Sequence, residues 1–241
     1  MPIYSDRLNI AYFPVPKIGS STMRSVLYAV NNDLDVSQVD AYRVADKTTR
    51  EIRARSFEES RADLERKGRS YQTVAIVREP VKRFVSGYVN KILSGQLRRL
   101  MDGADTVKSS KLPTEPDLDL FLRKFDRYRA KSGMIKRHFM PMTYYLGNDL
   151  AWFDHVFHLE RFDDVTGFLD RRYGAPISYP HKKKSRKVDI ALTPEQEARI
   201  RQIFRADLEL LGLAGPKEPA GAARGPRLSR LIGFGRTGTQ E

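Results

Sequence analysis

The sequence predicts an α/β fold with a mostly parallel central sheet of about five strands flanked by helices. Three observations predict it. Short runs rich in β-branched and aromatic residues, at 8–15, 73–77 and 153–159, alternate with longer stretches whose apolar residues recur at helical spacing. The 241 residues are 40% apolar and 30% charged, enough for one such domain with a well-buried core. Two of the strand-to-helix junctions gather glycine, hydroxyls and cations, and such junctions are where an open α/β sheet forms its ligand crevice.

Residues 8–15 read as a buried first strand ended by Pro14 and Pro16. A helix follows from about Ser20 to Asn31, with Met23, Val26, Leu27 and Val30 at core spacing. Residues 47–68 are charged, with Ile52, Phe57 and Leu64 as sparse anchors, and read as an exposed helix or a lid. Thr73 to Val77 is the clearest strand. Pro80 then takes a first-turn helix position, where its missing donor costs nothing. That helix places Val81, Phe84, Val85, Tyr88, Ile92 and Leu93 on its apolar side.

A polar loop is expected over 101–116, and Asp117 opens a helix that buries Leu118, Phe121, Leu122 and Phe125. Phe153 to Leu159 reads as a third strand, and a helix from Phe162 to Tyr173 ends at Gly174. Thr193-Pro194-Glu195-Gln196 is a helix start with a threonine cap, proline first and glutamine three residues on. The helix it opens runs to Gly212. The chain thus divides into a domain over 1–214 and a Gly/Pro-rich basic tail over 215–241, expected to be disordered.

The formal net charge of +13 implies an anionic partner: nucleic acid, an acidic membrane surface or a phosphorylated small ligand. The tail has five basic and two acidic residues, so residues 1–214 keep +10 and the tail does not explain the charge. Zero cysteines exclude disulfides, thiolate metal sites and a cysteine nucleophile, and fit a reducing, cytoplasmic setting. No apolar run reaches the length of a membrane span, and the stretch from Met1 to Arg7 does not read as a signal peptide.

The turn Lys17-x-Gly19-Ser20-Ser21-Thr22 makes an anion cradle for three reasons. The first N–H groups of a helix lack internal partners. Gly19 allows close backbone approach while the three hydroxyls add donors, and Lys17 supplies a mobile charge that can follow charge developing on a leaving oxygen. Read alone, Ser20 to Thr22 serve equally well as a helix cap. The architecture expected around the cradle is three-layered and P-loop-like, yet the Walker A order G-x-x-x-x-G-K-S/T is absent. The strand at 73–77 ends in Arg78, where a P-loop kinase places an acid for magnesium; a cation there suits a second anion. With a helix starting near Pro80, Ser86 lies in the second turn, so Arg78 and Ser86 together can grip one phosphate. Arg83 and Lys82 add positive potential, and the two motifs together offer two helix N-termini. Alternatively Arg78 is an ion-pair partner of Glu79 or of a nearby helix.

The pair P-x-P-K-x-G-S-S-T and V-R-E-P-x-x-R-F-x-S-x-Y-x-N-K resembles the two cofactor motifs of the carbohydrate sulfotransferases. It is most similar to the Golgi group containing the chondroitin and dermatan 4-O-sulfotransferases, of which this chain would be a soluble, bacterial-type member. The resemblance implies 3′-phosphoadenosine 5′-phosphosulfate (PAPS) as sulfuryl donor. It places Lys17, Gly19, Ser20, Ser21 and Thr22 on the 5′-phosphosulfate, and Arg78 and Ser86 on the 3′-phosphate. Arg137-His138-Phe139-Met140-Pro141 resembles a His-x-x-Pro element, Phe157 to Glu160 a strand-plus-glutamate segment, and Ser185 with the helix through Asp207 a C-terminal cofactor-binding stretch. The chain departs from that group in having no cysteines, no N-terminal membrane anchor and no asparagine in the basic run 181–187, and the acceptor-binding middle is not recognisable.

Sulfuryl transfer, like phosphoryl transfer, proceeds by in-line attack through a loose transition state, so positioning and electrostatics do most of the work. Lys17 is the residue expected to stabilise the departing 5′-phosphate, and no metal is required. His138, in an expected loop, is the candidate base for the acceptor hydroxyl, with Glu79 and Glu160 as alternatives. Ser185 and Arg186 are candidate cofactor contacts. The expected acceptor is a carbohydrate or glycolipid, with peripheral contact to an anionic membrane a further expectation and nucleic acid not an expected partner. A P-loop phosphotransferase and a non-catalytic nucleic-acid-binding protein are the competing readings.

Overall fold

The structure, a computed structural model, describes residues 1–39, 55–68, 70–101, 112–179 and 190–214. Segment 47–54 of the expected exposed helix or lid, the centre of the 101–116 loop, Ser185 and Arg186, and the tail 215–241 lie outside the described residues.

Four strands form the sheet among the described residues: β1 (Ile3–Ser5), β2 (Ile10–Phe13), β3 (Gln72–Val77) and β4 (His155–His158), in that spatial order. β2, β3 and β4 are parallel neighbours and β1 is an antiparallel edge. The sheet is therefore mostly parallel as expected, but four-stranded rather than five-stranded. The reading 8–15 is too long, because the extended ladder stops at Phe13 and a loop begins at Pro14. β1 escapes the sequence pattern, since three residues give no periodicity to read.

β3 is buried over Thr73–Val77, as a central parallel strand must be, and so reads as a continuous apolar run. Its register with β4 is pinned at the lower end. The Thr73 N–H donates to Asp154 Oδ2 at 2.7 Å, and the Asp154 N–H returns a bond to Thr73 Oγ1 at 3.0 Å. β4 is a half-buried edge, consistent with a histidine at each of its ends.

Helices follow the parallel strands. α1 (Ser20–Asn31) leaves β2, and α2 (Phe57–Arg66) precedes β3 with a Ser56/Glu59 capping box. α3 (Pro80–Tyr88) leaves β3 and runs into a π-helical turn, Val89–Leu93, before α4 (Gln96–Met101). Then come α5 (Leu118–Arg123), α6 (Phe125–Lys131), α7 (Gly133–Phe139) and α8 (Met142–Leu146). α9 (Phe162–Tyr173) follows β4 and ends at Gly174 in the left-handed region, as read from the sequence. α10 (Pro194–Ile203) has the expected Thr193/Gln196 capping box, but the helix breaks at Phe204 and resumes as α11 (Arg205–Leu210). Among the described residues no helix is long and apolar enough to cross a membrane.

Two cores result. One is the sheet core, joining β1–β3 to α1, α8 and α9. The other is helical and aromatic: Phe84, Phe121, Phe125, Phe139 and Phe204 meet at ring-centroid distances of 5.3 to 6.3 Å.

Arg83 joins the two. Its guanidinium is buried, with Nε donating to the Pro16 carbonyl at 3.2 Å, a terminal nitrogen donating to the Met140 carbonyl at 2.7 Å, and the other 3.6 Å from Asp207 Oδ2. Asp207 is wholly buried, and its Oδ1 accepts the Thr143 N–H at 3.0 Å in the first turn of α8. Burial lifts the Asp207 carboxyl above its ordinary range while the Arg83 charge and backbone donors draw it down. Arg83 is thus engaged in a buried ion pair and in bonds to two carbonyls, a structural role that the sequence reading did not give it. For the same reason Asp207 is no ligand contact in this structure.

Removing one partner of a buried pair strands the other charge. Arg83→Met and Asp207→Asn are each expected to lower the free energy of unfolding by about 3–5 kcal/mol, measured by urea denaturation. A change below 1 kcal/mol in both, roughly the scale of an exposed pair, would refute the structural role.

Candidate active site

The site is built at the carboxyl ends of β2 and β3. Val15 and Ile18 are buried and anchor the loop after β2. Between Ile18 and the helix, and just before it, the chain turns through left-handed residues: φ is 71° at Lys17 and 68° at Gly19. Glycine is needed at 19 for this φ, and a Cβ there would lie 3.3 Å from Leu159 Cδ1. At Lys17 the same conformation costs on the order of 1 kcal/mol or more, strain typical of a functional loop.

Ser20, Ser21 and Thr22 form the first turn of α1. The cap residue is glycine, no side chain caps the turn, and no acidic residue lies in it. Its N–H groups and the positive end of the helix dipole are therefore left to an external anion. α3 differs. Glu79 closes that terminus itself, accepting from the Val81 N–H at 3.0 Å and the Lys82 N–H at 2.7 Å. Of the two helix N-termini expected to hold anions, one is thus occupied by the chain's own carboxylate, and Glu79 is engaged as a cap.

The two motifs touch. Arg78 donates from a terminal nitrogen to the Lys17 carbonyl at 3.2 Å. Its Nε is 3.9 Å from Glu160 Oε1, too far for a hydrogen bond, and is buried without an acceptor. Glu160 is thus the ion-pair partner of Arg78. A buried guanidinium donor lacking its acceptor is what an anion-binding residue presents before its ligand arrives. Ser86 is half-buried in the second turn of α3.

His138 lies in the last turn of α7, not in a loop. The signal was present: the Ser132 hydroxyl accepts the Ile135 N–H at 3.3 Å as an N-cap, ahead of Met134, Ile135 and Phe139 at helical spacing. His138 Nδ1 sits 2.8 Å from the Met134 carbonyl. A carbonyl can only accept, so Nδ1 carries the proton and Nε2 keeps the free lone pair.

The electrostatics single out a residue to which the sequence assigned no role. Lys91, in the π-helical turn, has its ammonium 2.8 Å from Gln96 Oε1. After burial, Lys91 is the largest influence lowering both Lys17, to about 8, and His138, to about 4. Lys17 and Arg137 also push His138 down. Lys17, Lys91 and Arg78 therefore form one cationic group beside the neutral His138 imidazole, with Glu160 the carboxylate paired to it at Arg78 among the described residues. The sequence signal for Lys91 was its place at the end of the second motif. The π turn that seats it leaves no mark in apolar spacing.

The chain matches the Sulfotransferase family over residues 2–214 and belongs to that family. No curated protein and no solved structure matches it. The family assigns a sulfuryl-transferring enzyme acting on an acceptor, the general activity implied by the two motifs.

Removing the like charge beside His138 should make its protonation easier. Lys91→Met is expected to raise the midpoint of the His138 imidazole titration, followed by NMR, from about 4 toward the ordinary 6.5. An unmoved midpoint would show that Lys91 does not act on the imidazole.

Proposed function

We propose that the protein transfers the sulfuryl group of PAPS to a hydroxyl of a carbohydrate or glycoconjugate. The observation that carries this reading is the Arg78–Lys17 contact of 3.2 Å, which brings the two anion-binding motifs side by side at one sheet edge. A donor with a phosphosulfate at one end and a phosphate at the other needs two such anion grips within one nucleotide's reach. The chemistry of the residues fits: uncapped amides of Ser20 to Thr22, an unpartnered Arg78 Nε and the half-buried Lys17. A P-loop-like description of the fold follows from the same loop.

In this reading PAPS supplies an activated sulfuryl group whose leaving group is the 5′-phosphate of 3′,5′-adenosine bisphosphate. Lys17 and the first turn of α1 hold the phosphosulfate, and Lys17 stays close to the bridging oxygen on which negative charge accumulates. Arg78 and Ser86 hold the 3′-phosphate. His138 Nε2 takes the proton of the acceptor hydroxyl as its oxygen bonds to sulfur and the bond from sulfur to the bridging oxygen breaks. The imidazolium so formed is stabilised by the Met134 carbonyl at Nδ1. Burial first and then the Lys91 and Lys17 charges hold the base near 4 in the free protein, and donor charge beside the two lysines offsets the second part. Donor binding thereby tunes the base toward neutrality. Ser185 and Arg186 are further proposed donor contacts. The cytoplasmic reading rests on the cysteine-free composition.

Calorimetry with 3′,5′-adenosine bisphosphate is expected to give micromolar binding in the presence of chelator, corresponding to roughly −8 kcal/mol. Lys17→Ala and Arg78→Ala should each reduce transfer from labelled PAPS by about 10³-fold or more. Full activity in both variants would end the reading.

Above about pH 7, where its phosphates are fully ionised, affinity for the bisphosphate should hold to about pH 8 and then fall, since only protonated Lys17 attracts the anion and it titrates near 8 in the free protein. Lys17→Ala should abolish this fall. A wild-type affinity that rises with pH would contradict the assignment.

A further inference from the structure

Lys17 combines an unpaired side chain with a place beside an anion cradle. Its backbone is fixed by a φ of 71° and by a carbonyl that accepts from Arg78 at 3.2 Å. Its side chain is half-buried, and among the described residues no carboxylate or other acceptor meets the ammonium. The two acids of the site are already engaged, Glu79 as the cap of α3 and Glu160 as the partner of Arg78. Burial and then the like charges of Lys91 and Arg78 lower Lys17 to about 8. At pH 7.5 roughly a quarter of it is free amine, against on the order of one in a thousand for an ordinary lysine.

A neutral amine is a nucleophile. Three positions on, the uncapped first turn of α1 offers the amides of Ser20, Ser21 and Thr22, and the orphan Nε of Arg78 adds a donor. The electrophile suited to this place bears an anionic group that these donors hold and a reactive carbon next to it. An acyl phosphate meets both needs, because its phosphate is at once the handle and the leaving group. The donors that would stabilise a phosphate leaving a sulfuryl group would equally stabilise one leaving an acyl group. A neutral ester carries no such handle.

We propose that Lys17 is a modification site, acylated without a second enzyme by small acyl phosphates, and that its acylation switches off donor binding. The Lys17 Nζ lone pair attacks the carbonyl carbon. A carbon–nitrogen bond forms as the bond from that carbon to the phosphate's bridging oxygen breaks. Phosphate departs with the proton that the nitrogen gives up, and an uncharged amide replaces the amine. The amide carries no charge toward a donor's phosphosulfate. Bound donor favours charged Lys17 and covers the cradle, so the protein is modified when donor is scarce. The regulatory consequence rests on the transferase reading above, whereas the acylation itself needs only the loop.

The test incubates the full chain with acetyl phosphate at pH 7.5 and follows acetylation at each lysine by peptide mass spectrometry. Lys17 is expected to react about tenfold or more faster than the exposed Lys82 and Lys131. Inorganic phosphate and 3′,5′-adenosine bisphosphate should each slow Lys17 and leave Lys82 and Lys131 unchanged. With 4-nitrophenyl acetate, an acetyl donor without phosphate, the preference for Lys17 should be several-fold smaller. Treated wild type should bind the bisphosphate about tenfold or more weakly. Lys17→Arg, whose guanidinium is not acylated, should bind it equally before and after treatment. The proposal is overturned if Lys17 reacts no faster than Lys82, if phosphate gives no protection, or if the ester shows the same preference. It is overturned also if acetylated wild type keeps its affinity for the bisphosphate. Wild type that never binds the bisphosphate, while phosphate still protects a fast-reacting Lys17, overturns the transferase reading and leaves the acylation standing.

Discussion

The buried Arg83–Asp207 pair is the constraint on which the site depends. Three directions leave one guanidinium: to the Pro16 carbonyl at the base of the anion loop, to the Met140 carbonyl just past the histidine helix, and to a carboxylate on α11. Only arginine has a planar fork of donors able to serve all three while staying charged in a dry interior. A lysine would supply the charge without the geometry. The cost of burying both ions is offset by fixing the distance between two halves of the molecule. Each half packs its own core, and neither core alone sets where Lys17 lies relative to His138.

The site itself is assembled against electrostatic preference. Burial and then the Lys91 charge lower the proton affinity of both Lys17 and His138, Arg78 has an unsatisfied buried donor, and Lys17 holds a left-handed backbone. Each departs from a local rule of stability, and they coincide in space. An anion opposes the charge repulsion, though not the burial: it pairs the orphan donor and favours the charged forms of Lys17 and His138. The free protein is therefore organised around charge that it does not carry. Glu79 shows the contrast, because at the neighbouring helix terminus the same need is met internally and the position is closed to ligands.

Much of this was legible in the sequence where the signal is local. α1 begins and ends where apolar spacing placed it, α9 stops at Gly174, and the Thr193 capping box is formed as read. The anion loop was readable because glycine, lysine and hydroxyls fall within six residues of a strand end. What could not be read depends on partners far away in the chain. Arg83 looks like a surface charge from its neighbours, and only Asp207, distant in sequence, makes it a buried clamp. β1 is too short for a pattern, and the helix carrying His138 was obscured by the brevity of its apolar stripe. Glu79 before Pro80 was a local cap signal that charge-based reasoning passed over in favour of an acid–base role.

The aromatic core has a second consequence for the site. Gly87 on α3 lets the Phe139 ring approach so closely that an added Cβ would lie 3.0 Å from it. Phe139 is the residue after His138, so the packing of that ring ties the last turn of α7 to α3. Its neighbours Phe84, Phe121 and Phe125 hold it from the other sides. The same helix α3 also begins beside Arg78 and carries Arg83 and Ser86. One nine-residue helix therefore begins beside Arg78, carries the clamp between halves at its centre and packs against the residue after His138. Its position is rigid because its N-terminus is capped and its apolar side is buried. Under the proposed transfer, anchoring the donor grip and the histidine helix to one rigid element is what brings a base to the acceptor hydroxyl at the geometry that in-line transfer requires.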